Sequence, residues 1–144
     1  MQRAALVAAG KVEGDVVLKN GSYLDGFSAE LRTGDIAICG RQIAGIGDYE
    51  GETEYDFTGK VVTPGLIDAH VHIESTQLSP EEFASLAVPR GTTLVIADPH
   101  EIVNVCSLEG AEHIRRAAGR PPLGVKPMLP SGVPATPSET SGAT

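Results

Sequence analysis

The spacing of apolar and polar residues divides the chain into two regions. Between residues 15 and 62, short β-type runs are separated by turn signals, including an Asn-Gly pair at Asn20 and the Gly-Arg pair inside DIAICGRQIAGIG. The first pair predicts a hairpin, and the second joins two predicted strands, 35–39 and 42–46. Several short strands at close spacing are typical of a β-sandwich, so residues 1–62 are expected to form part of a small one.

From Pro64 onward the pattern changes to longer apolar runs with helical segments between them. GLIDAHVHI and TTLVIAD have the length and apolar content of buried strands, and LGVKPMLPS predicts a third strand. A capping box with Ser79 as the N-cap begins the first helix, and Ser107 is the expected N-cap of the second helix. The order strand, helix, strand, helix, strand predicts an α/β unit with a parallel sheet over residues 63–144.

Composition narrows the class of protein. The 144 residues carry a formal net charge of −8, aromatic residues make up 4%, and tryptophan is absent. An acidic chain poor in aromatic side chains does not suit a nucleic-acid binder, and its apolar runs are too short to span a membrane. Cys39 and Cys106 lie far apart without metal or disulfide spacing, which favours a reducing, cytoplasmic compartment. Because the acidic charge and the few aromatic residues disfavour nucleic acid as a partner, we expect a small-molecule ligand.

The run GLIDAHVHIES places two of the chain's four histidines two residues apart. Side chains at i, i+2 and i+4 of a strand share one face, so Asp68, His70 and His72 are expected to point the same way. A pair of imidazoles at this spacing can bind one divalent metal ion, and an aspartate beside them can hold a histidine by a hydrogen bond. We interpret His70 and His72 as metal ligands and Asp68 as such a partner. Two hydrogen-bonded histidines at a strand end are the alternative.

A second polar run, ADPHEI, follows the next predicted strand. Because ligands of α/β folds bind at the carboxyl ends of parallel strands, its side chains are expected to reach the histidine pair. We interpret His100 and Glu101 as catalytic residues and Asp98 as a further hydrogen-bonding partner. Proton transfer, substrate contact and additional metal ligation stay open as roles, and a polar turn is the alternative. Glu74 and Ser75 are expected to contact the substrate, with a solvated loop as their alternative.

These motifs resemble a known family. VVTPGLIDAHVHIES is similar to the entry into the first barrel strand of the amidohydrolase superfamily, and the upstream strands resemble its N-terminal β-sandwich. The linked runs HIES, RGTT and ADPHEIVNV resemble the bacterial adenine deaminases in particular. PSGVPATPSETSGA is similar to that family as well, although Gly132 stands where the family usually has cysteine.

The resemblance implies a fold, a cofactor and a reaction. The fold would be part of the β-sandwich followed by the first βαβαβ units of a (β/α)8 TIM barrel. The cofactor would be a divalent metal ion, foremost Mn²⁺, with Fe²⁺ and Zn²⁺ as alternatives, bound by His70 and His72. The reaction would be hydrolytic deamination of adenine to hypoxanthine and ammonia by a metal-activated water. His100 and Glu101 would lie near that site, where an acid-base group protonates the leaving amine.

The resemblance also implies that a working site needs more than this chain. A (β/α)8 barrel takes about 250 residues, and further metal ligands and a catalytic aspartate would lie on later strands. We expect residues 1–144 to be inactive alone and to belong to a cytoplasmic homo-oligomer that acts on adenine in purine salvage. Two alternatives stay open: another amidohydrolase that acts on a cyclic amide or amidine, and a truncated protein without catalytic activity.

Overall fold

The computed structural model describes residues 2–119, 122–130, 132, 133 and 138. The chain divides into two compact units, Met1–Pro64 and Gly65–Thr144, and each has its own sheets. Most of the tail PSGVPATPSETSGAT lies outside the described residues. No helix in the described part of the chain is long and apolar enough to cross a lipid bilayer.

Within its described residues, the first unit consists of a short helix and strands in two sheets. The elements are α1 (Gln2–Ala8), β1 (Gly14–Lys19), β2 (Ser22–Asp25), β3 (Glu30–Thr33), β4 (Asp35–Cys39), β5 (Gln42–Gly47), β6 (Gly51–Asp56) and β7 (Val61–Val62). One sheet has the order β5-β4-β1-β6 and the other has the order β3-β2-β7. The predicted strands 35–39 and 42–46 are confirmed as the antiparallel pair β4 and β5. That the two sheets form a β-sandwich stays a prediction.

The hairpin predicted at Asn20 is wrong, although the turn is present. Asn20 takes a left-handed φ of 62°, but the strands on either side of it belong to different sheets. The main-chain N–H of Asn20 donates to Asp35 Oδ1 at 3.0 Å, and its side-chain amide donates to Asp56 Oδ1 at 3.2 Å. These bonds hold the turn to the neighbours of β1 in the larger sheet, while β2 pairs with β3 and β7.

The second unit has the predicted order of strands and helices. It contains β8 (Leu66–Val71), α2 (Pro80–Ala87), β9 (Thr92–Ala97), α3 (His100–Ala117) and β10 (Gly124–Pro127), with short 3₁₀ turns at Glu74–Thr76 and Val88–Arg90. The strands form a parallel sheet of order β10-β9-β8, which confirms the predicted parallel pairing. A partial α/β barrel is consistent with this arrangement.

The middle strand β9 lies in the core of the second unit. Val95 is fully buried and Ala97 is 1% exposed. The remaining buried members of this core are Ile73, Ala84, Ile114, Leu123 and Val125. On β8, by contrast, Leu66 and Ile67 are each 62% exposed. Packing therefore holds β9 in place more firmly than β8. The residues that directly follow β9 are attached to a well-packed strand.

Local signals in the sequence define α2 as expected. Ser79 Oγ accepts a hydrogen bond from the N–H of Glu82 at 3.2 Å, and Glu82 Oε2 accepts from the N–H of Ser79 at 3.0 Å. This reciprocal pair is a capping box, and Pro80 occupies the first helical position. Gly91, with φ 97°, then reverses the chain into β9.

Helix α3 departs from the prediction at its start. It begins at His100 rather than at Ser107, because the N–H of Val103 already donates to the carbonyl of Pro99 at 3.0 Å. Ser107 instead marks a break inside the helix, with φ 55° and ψ −148°. The His-Glu pair therefore lies in the first helical turn and not in a loop.

The break brings the two segments of α3 together at Gly110. A Cβ built at Gly110 would lie 2.6 Å from the carbonyl oxygen of Ile102, a distance that side chains do not tolerate. Because the contact is to backbone, it cannot be relieved by rotating a flexible side chain. Gly110 is therefore needed for the first turn of α3 to keep its place.

We expect Gly110→Ala to destabilise the chain by about 1–3 kcal/mol, as for an overpacked interior site. Gly119→Ala is the matched control, since a Cβ there meets only the carbonyl oxygen of Arg116 at an ordinary 3.8 Å. Urea unfolding followed by circular dichroism measures both variants. Equal stability of the two variants would contradict the close packing at Gly110.

Candidate metal centre

The candidate site forms where β8 and β9 end side by side. Val71 and Ala97 are paired, and the N–H of Asp98 donates to the carbonyl of Val71 at 3.0 Å. The two strands therefore reach their carboxyl ends at the same level. His70 at the end of β8 and His72 directly after it meet residues 98–101, which follow β9, at this edge of the sheet.

The two histidines present facing nitrogens. The Nε2 atoms of His70 and His72 lie 3.1 Å apart, and the rings are perpendicular within 10°, with an interplanar angle of 81°. Two imidazole nitrogens that bind one ion at about 2.1 Å, at angles between a right angle and a tetrahedral one, are separated by roughly 3.0–3.4 Å. The observed separation fits that range. A distance of 3.1 Å is also compatible with a hydrogen bond between the two rings. Which nitrogen of each ring carries a proton therefore decides between shared metal binding and a hydrogen bond.

The main chain determines the tautomer of His72. Its Nδ1 lies 2.8 Å from the carbonyl oxygen of Asp98. A carbonyl oxygen can only accept, so Nδ1 carries the proton and donates it. In the neutral ring this leaves Nε2 with a free lone pair that is directed at His70. His72 is thus oriented as metal-bound histidines are.

Asp98 adds a carboxylate to the pair. Ligand atoms of His70, His72 and Asp98 all lie within 4.8 Å of one another. Asp98 Oδ2 lies 3.4 Å from Nδ1 of His100, whereas the buried Oδ1 has no hydrogen-bond partner among the described residues. A buried carboxylate oxygen without a donor is costly, and a divalent cation would satisfy it. The donor set of two imidazoles and one carboxylate therefore suits such an ion.

Asp68 and Asp98 are expected to be hydrogen-bonding partners of the histidines, a role that stays a prediction, and their described contacts include main-chain atoms. Asp68 Oδ1 accepts from the main-chain N–H of His70 at 3.1 Å, so the described contact supports the strand and not an imidazole ring. His72 Nδ1 donates to the main-chain carbonyl of Asp98, and the carboxylate of Asp98 lies beside Nδ1 of His100. A main-chain acceptor carries no signal in the sequence, and only the pairing of the two strands reveals it.

His100 and Glu101 also lie beside His72. The rings of His72 and His100 are 4.6 Å apart at 88°. Ligand atoms of His72, His100 and Glu101 also lie within 4.8 Å of one another. His100 and Glu101 are therefore brought to the histidine pair, as expected for groups that act there. Whether they transfer protons, contact a substrate or bind metal stays a prediction.

Glu74 and Ser75 contact the first turn of α3. Glu74 Oε1 accepts from the N–H of Ile102 at 3.4 Å, and Ser75 Oγ donates to Glu101 Oε1 at 2.5 Å. The expected contact of both residues with a substrate stays a prediction. Ile102 contacts Glu74 through its main-chain N–H. Its apolar side chain gave no reason in the sequence to expect it near the site.

The chain belongs to the amidohydrolase family. The sequence profile of that family matches residues 61–144, more than half of the chain, including every residue of the candidate site. Among curated proteins, the chain is 53% identical over 143 residues to adenine deaminase 2 of Desulfotalea psychrophila, covering 99% of this chain and 25% of that protein. It is 53% identical over 138 residues to the adenine deaminase of Ligilactobacillus salivarius, covering 95% of this chain and 24% of that protein. The chain thus spans about a quarter of the length of these relatives.

Two solved structures resemble this chain in fold over most of its length. A D-aminoacylase with a binuclear metal centre matches with a TM-score of 0.64 and 23% identity, over 83% of this chain and 30% of that one. The N-acyl-D-glutamate deacylase of Bordetella bronchiseptica, solved with zinc, matches with a TM-score of 0.61 and 18% identity, over 85% of this chain and 30% of that one. These likenesses concern the fold alone.

We expect the 144-residue chain to bind one divalent ion weakly, because two imidazoles and one carboxylate form the described donor set. His72→Ala should lower the affinity for Mn²⁺ or Zn²⁺ at least about tenfold, since it removes a ligand and the acceptor of the His70 contact. Calorimetric titration measures the affinity. His113→Ala is the matched control, because His113 is exposed on α3. An equal loss in both variants would indicate binding elsewhere on the surface.

Proposed function

We propose that residues 1–144 are part of a metal-dependent adenine deaminase, which converts adenine and water to hypoxanthine and ammonia. The observation that carries the proposal is the identity of about half of all residues with curated adenine deaminases, maintained over nearly the whole chain. That identity spans both runs of the candidate site. The geometry of the site supports the proposal, because hydrolysis at a purine carbon requires a water made nucleophilic near neutral pH.

His70, His72 and Asp98 would hold the metal ion. Mn²⁺ is our first choice, with Fe²⁺ and Zn²⁺ as alternatives, since imidazole and carboxylate ligands suit all three ions. When bound, the ion lowers the pKa of a water, which supplies the oxygen for C6 of adenine. The carbonyl of Asp98 keeps His72 in the tautomer whose Nε2 can ligate.

His100 and Glu101 are proposed to move protons. Deamination forms a C6–O bond and breaks the bond from C6 to the exocyclic nitrogen, which must gain a proton to leave as ammonia. A carboxylate and an imidazole beside His72 can accept the proton of the attacking water and return it to that nitrogen. Glu101 is exposed and His100 is partly exposed, so both can be reached by a substrate.

The whole reaction is proposed to need residues beyond this segment. His70, His72 and Asp98 would meet the minimum of three protein ligands for one catalytic metal ion, whereas a two-metal centre takes more. A closed barrel has eight strands, whereas the second unit contains β8, β9 and β10 in its described part. Assembly as a homo-oligomer and a cytoplasmic location stay predictions, as does the alternative of a different cyclic amide or amidine as substrate.

We expect the purified 144-residue chain to release no ammonia from adenine in the presence of Mn²⁺. The same chain joined to the remaining three quarters of the Ligilactobacillus salivarius adenine deaminase should release it. His70→Ala in this chimera should lower kcat at least about a hundredfold, because it removes a proposed metal ligand. Ammonia release and the absorbance change from adenine to hypoxanthine measure the reaction.

Two controls make this test decisive. His113→Ala in the chimera should keep the activity, because the exposed His113 lies outside the candidate site. Adenosine, cytosine and dihydroorotate, offered in parallel, test the alternative substrates. A folded, metal-loaded chimera that hydrolyses one of these compounds and leaves adenine untouched would overturn the proposal.

A further inference from the structure

The loop after β8 is held by its own hydrogen bonds. The N–H of Thr76 donates to the carbonyl of Ile73 at 3.0 Å, and the Thr76 hydroxyl donates to the same carbonyl at 2.6 Å. The N–H of Gln77 donates to the carbonyl of Glu74 at 2.9 Å. Ile73 itself is 1% exposed and belongs to the core. The backbone of this loop is therefore fixed without help from the side chains of residues 74 and 75.

Those two side chains extend to the start of α3. Glu74 accepts from the N–H of Ile102, and Ser75 donates to the carboxylate of Glu101. Two successive loop residues thus contact two successive residues of the helix. The bond from Ser75 joins positions 26 residues apart in the chain, so it ties the histidine-bearing strand end to the His-Glu turn.

The bond from Ser75 matters most for Glu101. Glu101 is exposed, and a free glutamate side chain samples several rotamers. Ser75 Oγ binds Oε1 of Glu101 at 2.5 Å, which favours one of these rotamers. A hydroxyl has a single proton to donate, and Ser75 uses it on this carboxylate. The proton that Ser75 could donate to a substrate is therefore already engaged.

We propose that Ser75 is a positioning residue that holds the Glu101 carboxylate beside His72 and His100. This inference rests on the proposed function, in which Glu101 moves protons. In the contacts that the structure describes, Ser75 donates to Glu101 and not to His70, His72 or Asp98. Its effect on the reaction passes through Glu101, so its removal should slow the chemical step without weakening substrate binding.

The kinetic test uses the chimera of residues 1–144 with the Ligilactobacillus salivarius adenine deaminase. Ser75→Ala should lower kcat about tenfold, the size expected for loss of a supporting hydrogen bond, with KM changed by less than about twofold. Ser75→Thr, which keeps a hydroxyl, should restore most of kcat. Ser85→Ala is the matched control, because the Ser85 hydroxyl donates only to the carbonyl of Glu82 in its own helix.

A double-mutant comparison tests whether Ser75 acts through Glu101. Glu101→Gln alone should lower kcat by about a hundredfold or more, as for loss of an acid-base group. Adding Ser75→Ala to Glu101→Gln should lower kcat no further, because the group that Ser75 positions is already gone. A multiplicative loss in the double variant would overturn the inference, and so would Ser75→Ala with unchanged kcat.

A spectroscopic test on the 144-residue chain does not depend on deamination. The ¹³C resonance of the Glu101 carboxyl carbon should shift in Ser75→Ala and stay in place in Ser85→Ala. If the wild-type chimera folds but does not deaminate adenine, the proposed function fails while this resonance still reports on the contact. An unshifted resonance in Ser75→Ala would overturn the positioning role whatever the substrate.

Discussion

The pairing of β8 with β9 is the constraint on which the candidate site depends. Parallel strands place their carboxyl ends at one edge of a sheet, and the bond from the N–H of Asp98 to the carbonyl of Val71 sets the two ends level. His70 lies at the end of one strand and His72 directly after it, and the Asp-Pro-His-Glu run follows the other strand. Because β9 is the buried middle strand, this edge of the sheet is fixed by core packing. The side chains of the candidate site are therefore attached to a well-packed part of the chain.

Much of the second unit could be predicted because its signals are local. The capping box at Ser79 is determined within a few residues, and the structure has it as expected. The order of strands and helices follows from such signals, and the parallel sheet follows from that order. The meeting of His72 with His100 could also be anticipated, since residues that follow neighbouring parallel strands lie at the same edge of the sheet.

Other features depend on contacts between distant parts of the chain and could not be predicted. The Asn-Gly pair at Asn20 specifies a turn but not the sheets that its flanking strands join. The early start of α3 at His100 comes from the carbonyl of Pro99, and Ser107, a good N-cap by type, became a break instead. The partner of Ser75 lies 26 residues away, and residue type alone could not tell substrate contact from contact with Glu101.

The carbonyl that orients His72 belongs to the main chain of Asp98. Every amino acid supplies this carbonyl, so substitution at position 98 changes the charge of the site without removing the acceptor. Orientation and charge are in this way carried by different atoms of one residue. Genetic variation can alter the affinity of such a site for cations while the geometry of its histidine is inherited unchanged with the fold.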